Sequence, residues 1–310
     1  MRKLGVWLSS VGGLLILLIV AAPVYGPLLG LGPPAPPAPG RRVEIGPGLH
    51  LNVFDQGAGP AIVLVHGLPG SADDWQPLPE RLIAAGYRVV RYDRLGYGHS
   101  DRRARSEDHW IEPNARELLA LIAVLGLDRP VVVGWSYGSE VAQRAALDAA
   151  ERIGGLVLVG TPDARDAGKK EPGLIERVMS SELVMRWSCA SGIGVRPVLR
   201  QIGAEVFNGA MPDWWLEHHL QMLAMPGVVH TFKMETELRK SAVLTPQDLR
   251  LPVLILHGAA DRLCPYSIAL DLHARITGSR LASVPGGSHA LPNTHADWIV
   301  EQIRAFAPPR

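Results

Sequence analysis

Apolar positions along the chain fall into three regimes. From Leu4 to Ala22 they form one nearly unbroken run, LGVWLSSVGGLLILLIVAA; from Arg41 onward they come in short runs rich in branched residues; between Val159 and Val253 they are scattered among methionines and aromatic residues. The second regime carries the fold. Val43 to Ile45 and Leu49 to Phe54 read as two half-buried strands, and AIVLV (Ala61 to Val65), YRVVRY (Tyr87 to Tyr92), VVVGW (Val131 to Trp135), LVLV (Leu156 to Val159) and VLIL (Val253 to Leu256) as buried ones, with a last strand at Arg280 to Val284. Strands apolar at every position belong to a parallel sheet covered on both faces, because neither face is left to water. Stretches of helical length separate them, at Leu78 to Ala85, Glu112 to Leu125, Tyr137 to Ala149, Ser267 to Ile276 and Ala296 to Ala305. This alternation predicts a doubly wound α/β domain with a mostly parallel sheet and helices on both faces.

The third regime breaks that rhythm. It holds six of the seven methionines, with Trp187, Phe207, Trp214, Trp215 and Phe232, and shows no strong buried strand. An interval of this length is too long for a plain loop, so residues 163–245 are expected to form a helical insertion. Its adaptable apolar side chains either pack on one another or line a greasy pocket.

Composition narrows the function classes. The chain has 310 residues, 47% hydrophobic, with 31 Lys+Arg against 30 Asp+Glu. That length suits one large domain with an insertion, and the apolar content is ample for a core. No basic excess or stripe is present, which argues against a nucleic-acid partner. Cys189 and Cys264 are too few for a disulfide framework or a cysteine-based zinc site.

The charge is unevenly placed. With Arg2 and Lys3 set aside, 29 basic residues face 30 acidic ones, and Leu4 to Gly40 carries no charge at all. At about 1.5 Å of rise per residue, a helix over Leu4 to Ala22 just spans a bilayer core about 30 Å thick. Residues 1–25 are therefore expected to be a single-pass signal anchor. Arg2 and Lys3 would keep its tip cytoplasmic and send the rest of the chain to the periplasmic or extracellular side. The alternative is a signal peptide cleaved after Ala22 and a secreted protein, although Pro23 is a poor context for processing. Residues 26–42 follow as a proline-rich spacer, extended and semi-rigid because proline fixes φ and lacks an amide donor.

Four short motifs carry the chemistry. GWSYG, Gly134 to Gly138, sits where strand VVVGW gives way to an Ala-rich helix. A serine hydroxyl is a weak nucleophile unless a sharp turn exposes it near a base, and small residues two positions either side of Ser136 permit that turn. HGLPG, His66 to Gly70, follows strand AIVLV. The amides of Leu68 and Tyr137 are the pair expected to meet an oxyanion, where one such donor is worth roughly 2.7–4 kcal/mol of barrier. HGAAD, His257 to Asp261, follows strand VLIL and offers Asp261 to orient an imidazole; Asp163, after LVLV, is the reserve. GGSHA, Gly286 to Ala290, follows the last strand and places His289 where an imidazole can reach Ser136 over the sheet edge.

With these motifs and DRLGYGHSD (Asp93 to Asp101), the chain resembles the α/β-hydrolase superfamily from about Val43 onward. The resemblance implies a core over residues 43–162 and 246–310, a cap over 163–245, and a Ser136, His289 and Asp261 triad. The HGLP form is similar to that of epoxide hydrolases and haloalkane dehalogenases, whose nucleophile is aspartate; Ser136 departs from that pattern and favours acyl transfer to water. The expectation is a serine esterase acting on a small, apolar substrate, with Trp75, Trp135, Trp187, Trp214 and Trp215 as candidate pocket residues and no metal or organic cofactor implied. Amide, thioester, lactone or carbon–carbon cleavage on the same triad is the alternative within the fold, and a non-catalytic small-molecule receptor the alternative outside enzymes.

Overall fold

A computed structural model describes residues 39–103, 111–162, 188, 195–209, 211–238 and 244–309. The expected membrane span and the spacer up to residue 38, together with Asp163, Trp187 and Cys189, lie outside the described residues. Among the described residues no helix is long and apolar enough to cross a membrane.

Eight strands form one sheet: β1 (Arg41–Gly46), β2 (Leu49–Gln56), β3 (Ala61–Val65), β4 (Arg88–Tyr92), β5 (Val131–Trp135), β6 (Gly155–Val159), β7 (Val253–Gly258) and β8 (Arg280–Val284). Their spatial order is β1-β2-β4-β3-β5-β6-β7-β8. β1 and β2 pair antiparallel, β2 pairs antiparallel with β4, and every later pairing is parallel. The unbroken apolar runs are explained by cover on both faces. Along β3, Val63 and Val65 join one hydrophobic cluster while Ile62 and Leu64 join the other, the period of two expected of a strand.

The first cluster is closed by α2 (Ile111–Val124), α3 (Tyr137–Asp148) and α7 (Tyr266–Arg275), the second by α1 (Leu78–Ala84) and α8 (Ala296–Phe306). α8 buries Ile299, Val300 and Ile303 at helical spacing, each worth about 1.5–3 kcal/mol when removed from water. Between β6 and β7 the described chain is helical: α4 (Val195–Phe207), α5 (Asp213–Ala224) and α6 (Val228–Leu238). These three pack mainly on one another, through residues including Leu199, Leu216, Leu220 and Val229, with Tyr97 of the core entering their cluster. Strand order reverses at β3, whose neighbours are β4 and β5, so the loops leaving β3 and β5 diverge there and open a crevice at the carboxyl edge of the sheet.

Candidate active site

Ser136 stands at the end of β5 with φ 54° and ψ −126°, a backbone conformation that costs a non-glycine residue of order 1–3 kcal/mol. The flanking glycines make the turn possible by close approach. A Cβ on Gly138 would overlap the Val65 carbonyl of β3, and one on Gly134 would overlap the backbone of Gly138. α3 starts at the next residue, so the Tyr137 amide is a first-turn helix N–H with no intrahelical partner. Gly67 packs directly on Ser136, which brings the loop after β3 alongside the serine.

His289 and Asp261 meet from the loops that follow β8 and β7, with 2.7 Å between His289 Nδ1 and Asp261 Oδ2. Asp261 Oδ1 accepts from the amides of Leu263 and Cys264 at 2.9 and 2.8 Å, so both carboxylate oxygens are engaged. Burial opposes the Asp261 charge, but the His289 bond and the neighbouring amide hold its pKa below the usual carboxylate value. Burial likewise opposes charge on His289, yet the Cys264 sulfur and Asp261 outweigh it and raise the imidazole pKa. The bond to Asp261 fixes Nδ1 as the protonated nitrogen and leaves Nε2 as the base. Trp135 Nε1 donates to the His289 carbonyl at 3.0 Å, tying the histidine loop to the end of β5. Gly160, at φ 53°, passes so close that a Cβ there would stand 3.2 Å from His289 Nδ1.

Ser136 and His289 line one cavity of about 530 Å³, together with Gly67 and Leu68 from the core and Leu199, Val206, Trp215, Leu223 and Phe232 from the cap helices. Ser136 Oγ makes no hydrogen bond among the described residues, a contact that catalytic groups commonly tighten only around substrate. Of the tryptophans expected at the pocket, Trp135 and Trp215 line this cavity. Trp75 does not: it is fully buried in the core, in tilted contact with Trp135 at 6.0 Å. Trp214 is 42% exposed and also stands off the cavity. The pattern within α5 accounts for this, since Trp215, Leu216, His219, Leu220 and Leu223 share the buried stripe and Trp214 falls beside it.

Beneath the loop after β3 lies a buried polar network that the motifs did not announce. Arg94 and Glu235 form an ion pair at 2.7 Å with neither side chain exposed, joining core to cap helix α6. Arg94 Nη2 also donates to the Gly67 carbonyl at 3.0 Å, and its guanidinium lies 4.8 Å from the Tyr137 ring, so it braces one expected oxyanion donor, Tyr137, and the residue before the other, Leu68. The Arg94 amide donates to His66 Nε2, while His66 Nδ1 bonds the Gly67 carbonyl, both at 3.0 Å. Only a neutral imidazole satisfies both contacts, and burial, with Arg94 nearby, lowers the His66 pKa to about 3.

Two further groups escaped the motif reading. Cys264 sulfur lies within 4.8 Å of donor atoms of both Asp261 and His289. Asp74 and His219 share the cavity wall. The Ser71-x-x-Asp74 spacing was a visible signal, and it folds as a capping box, with Ser71 N donating to Asp74 Oδ2 at 2.8 Å.

A family model described as alpha/beta hydrolase fold matches residues 60–184. The chain is 28% identical over 274 residues to the non-heme haloperoxidase of Rhodococcus erythropolis, covering 84% of this chain and 96% of the relative. It is 28% identical over 260 residues to the bifunctional esterase/perhydrolase of Acinetobacter calcoaceticus, covering 80% and 91%. Among solved structures, the esterase of Exiguobacterium antarcticum superposes with a TM-score of 0.71 at 22% identity, over 86% of this chain and 98% of that one.

Proposed function

We propose that the chain, which has the fold of the α/β hydrolases, is a serine esterase of that superfamily, cleaving a small, apolar carboxylic ester through an acyl-enzyme. The observation that carries this reading is the convergence, on one largely apolar cavity, of a serine on a strained elbow and a buried His289–Asp261 pair. Ser136 attacks the ester carbonyl as His289 Nε2 takes its proton. The tetrahedral oxyanion is met by the amides of Leu68 and Tyr137, the alcohol leaves with the proton from His289, and water repeats the sequence to release the acid. Asp261 holds the imidazole in the reactive tautomer and stabilises its transient charge. A relative whose name includes esterase supports the ester over other acyl bonds.

The test is covalent labelling of Ser136 by a fluorophosphonate, with turnover of p-nitrophenyl esters of graded chain length. Labelling and turnover are expected in the parent and absent in Ser136→Ala; a parent protein that neither labels nor turns over any ester sinks the enzyme assignment to ester chemistry. We further propose that Leu4 to Ala22 tethers this domain to a membrane on its non-cytoplasmic side, a reading supported by 19 uncharged residues behind Arg2 and Lys3. A mature N-terminus beginning after Ala22 would replace the tether by secretion.

A further inference from the structure

The cavity has a second polar corner, opposite in origin to the triad. Asp74 belongs to the 3₁₀ turn Ala72–Trp75 of the core, while His218 and His219 are consecutive residues of cap helix α5. Consecutive helical side chains diverge by about 100°. Here the two rings stand at 87° with centroids 5.3 Å apart, and one donor atom from each histidine and one oxygen of Asp74 all lie within 4.8 Å of one another. We propose that Asp74, His218 and His219 form a binding site for one divalent transition-metal ion of the zinc class, at the seam between cap and core.

Donor chemistry supports this on two counts. His219 Nδ1 bonds the Trp215 carbonyl at 2.9 Å, with the ring stacked on Trp215 at 3.7 Å, which leaves Nε2 bare. A histidine whose second nitrogen donates to a backbone carbonyl is the usual outer arrangement around a metal ligand. Asp74 Oδ2 is held by the Ser71 amide, whereas buried Oδ1 accepts no aligned hydrogen bond and faces His218 Nε2 at 3.0 Å, as an ion pair. Two imidazoles and one carboxylate with an oxygen not committed to an aligned hydrogen bond are a zinc-type donor set, and three protein ligands leave room for a fourth from solvent or substrate. Asp74 and His219 both line the cavity, so the ion would border the space beside Ser136. Ser71 Oγ stands 3.2 Å from His218 Nε2, and Asp73, Asp93 and Gln221 line the space on that side of the ring.

Asp261, Cys264 and His289 form the other set of donors within 4.8 Å, but there the carboxylate has no oxygen to spare, since Oδ1 serves two amides and Oδ2 the imidazole. A metal would have to break that dyad. At Asp74 it has only to take the place of the His218 contact on Oδ1.

The experiment uses the protein without a histidine tag, stripped with EDTA and titrated at pH 7 with Zn2+ by calorimetry in buffers of different ionisation enthalpy, and with Co2+ by absorbance. The expected result is one ion per chain, a cobalt d–d band without thiolate charge transfer, retention of both in Cys264→Val, and an affinity loss beyond about 100-fold in His218→Gln and in His219→Gln. Near-ultraviolet circular dichroism of the variants in EDTA separates ligand loss from misfolding, and Asp74→Asn gives a third, independent ligand removal. No stoichiometric uptake overturns the proposal, as does uptake that survives His219→Gln, or a thiolate band that vanishes in Cys264→Val. None of these readouts depends on ester turnover, so the two readings stand or fall separately.

Discussion

Two imidazole–carboxylate pairs each give one residue, Asp74 and His289, to the wall of the same cavity, and they are built in opposite ways. His289 and Asp261 come from loops at the ends of adjacent strands β8 and β7, within one sheet and 2.7 Å apart in a directed hydrogen bond. His218 and Asp74 come from different layers, a cap helix and a core turn, 3.0 Å apart. In the first pair both carboxylate oxygens are engaged and the imidazole keeps Nε2 uncommitted. In the second the carboxylate holds the Ser71 amide on Oδ2 and the ion pair on Oδ1, and the imidazole spends Nε2 on that carboxylate. The same two side-chain types therefore suit a base in one place and a clasp between core and cap in the other, according to whether the imidazole keeps a nitrogen uncommitted.

The largest expected contrast is in matched asparagine variants. Asp261→Asn should lower kcat by about 10⁴-fold, because an amide stabilises the wrong imidazole tautomer and no transient charge. Asp74→Asn, assayed in EDTA, should keep kcat within about tenfold of the parent while lowering unfolding free energy by about 1–3 kcal/mol, as a buried charged partner is lost. Steady-state kinetics and urea titration on both variants measure this. Reversed results would make Asp74 the orienting carboxylate, and full activity in Asp261→Asn with loss in Asp163→Asn would move that role outside both pairs.

A smaller effect separates clasping from bracing. The Arg94–Glu235 pair also joins core to cap, but with neither side chain exposed and with Arg94 anchored to the Gly67 carbonyl. Glu235→Gln leaves a buried guanidinium short of its counter-charge and should cost about 3–5 kcal/mol of stability. Since the same guanidinium braces the loop beside Ser136, kcat should fall with little change in KM, whereas a pure cap clasp would alter KM first. A Glu235→Gln protein of parental stability would mean that the pair contributes less than its desolvation costs.

The contrast between the pairs also explains what was readable from the residues. Strands buried on both faces need apolar residues at every position, so β3, β5, β6 and β7 stand out as runs, and residues in the loops after them can be assigned to one edge of the sheet without knowing anything else. Ser136, Asp261 and His289 are legible for that reason. Asp74 and His218 meet only because α5 folds back over the turn after β3, a contact of tertiary origin that no local pattern encodes. Trp214 and Trp215 show the intermediate case: composition treats them alike, yet the helical stripe through Trp215, His219 and Leu223 already separates them. Trp75 was misplaced because its turn directs it into the core behind Trp135 rather than to the cavity.

The finest test is the pH dependence of the two pairs, which share a raised imidazole pKa and should respond in opposite senses. For His218, burial lowers the pKa from its ordinary 6.5, but Asp74 raises it beyond that value; for Asp74, burial raises the pKa, but His218 and the neighbouring histidines bring it down to about 2. A folded pKa above the unfolded one means that the His218 contribution to stability is complete below about pH 6.5 and fades as pH rises through the raised value. The Asp74 contribution is present above its ordinary 3.8 and is lost as pH falls towards 2. The stability difference between the parent and His218→Gln should therefore be greatest between about pH 4 and 6.5 and shrink on the alkaline side. In the proposed mechanism the neutral His289 imidazole is the reactive form, so kcat/KM should climb with pH along a limb centred above the ordinary imidazole value. Cys264→Val removes the sulfur beside the ring and should move that limb to lower pH while leaving its plateau near the parent's. A limb that stays in place would reduce Cys264 to packing and assign the whole rise in the His289 pKa to Asp261.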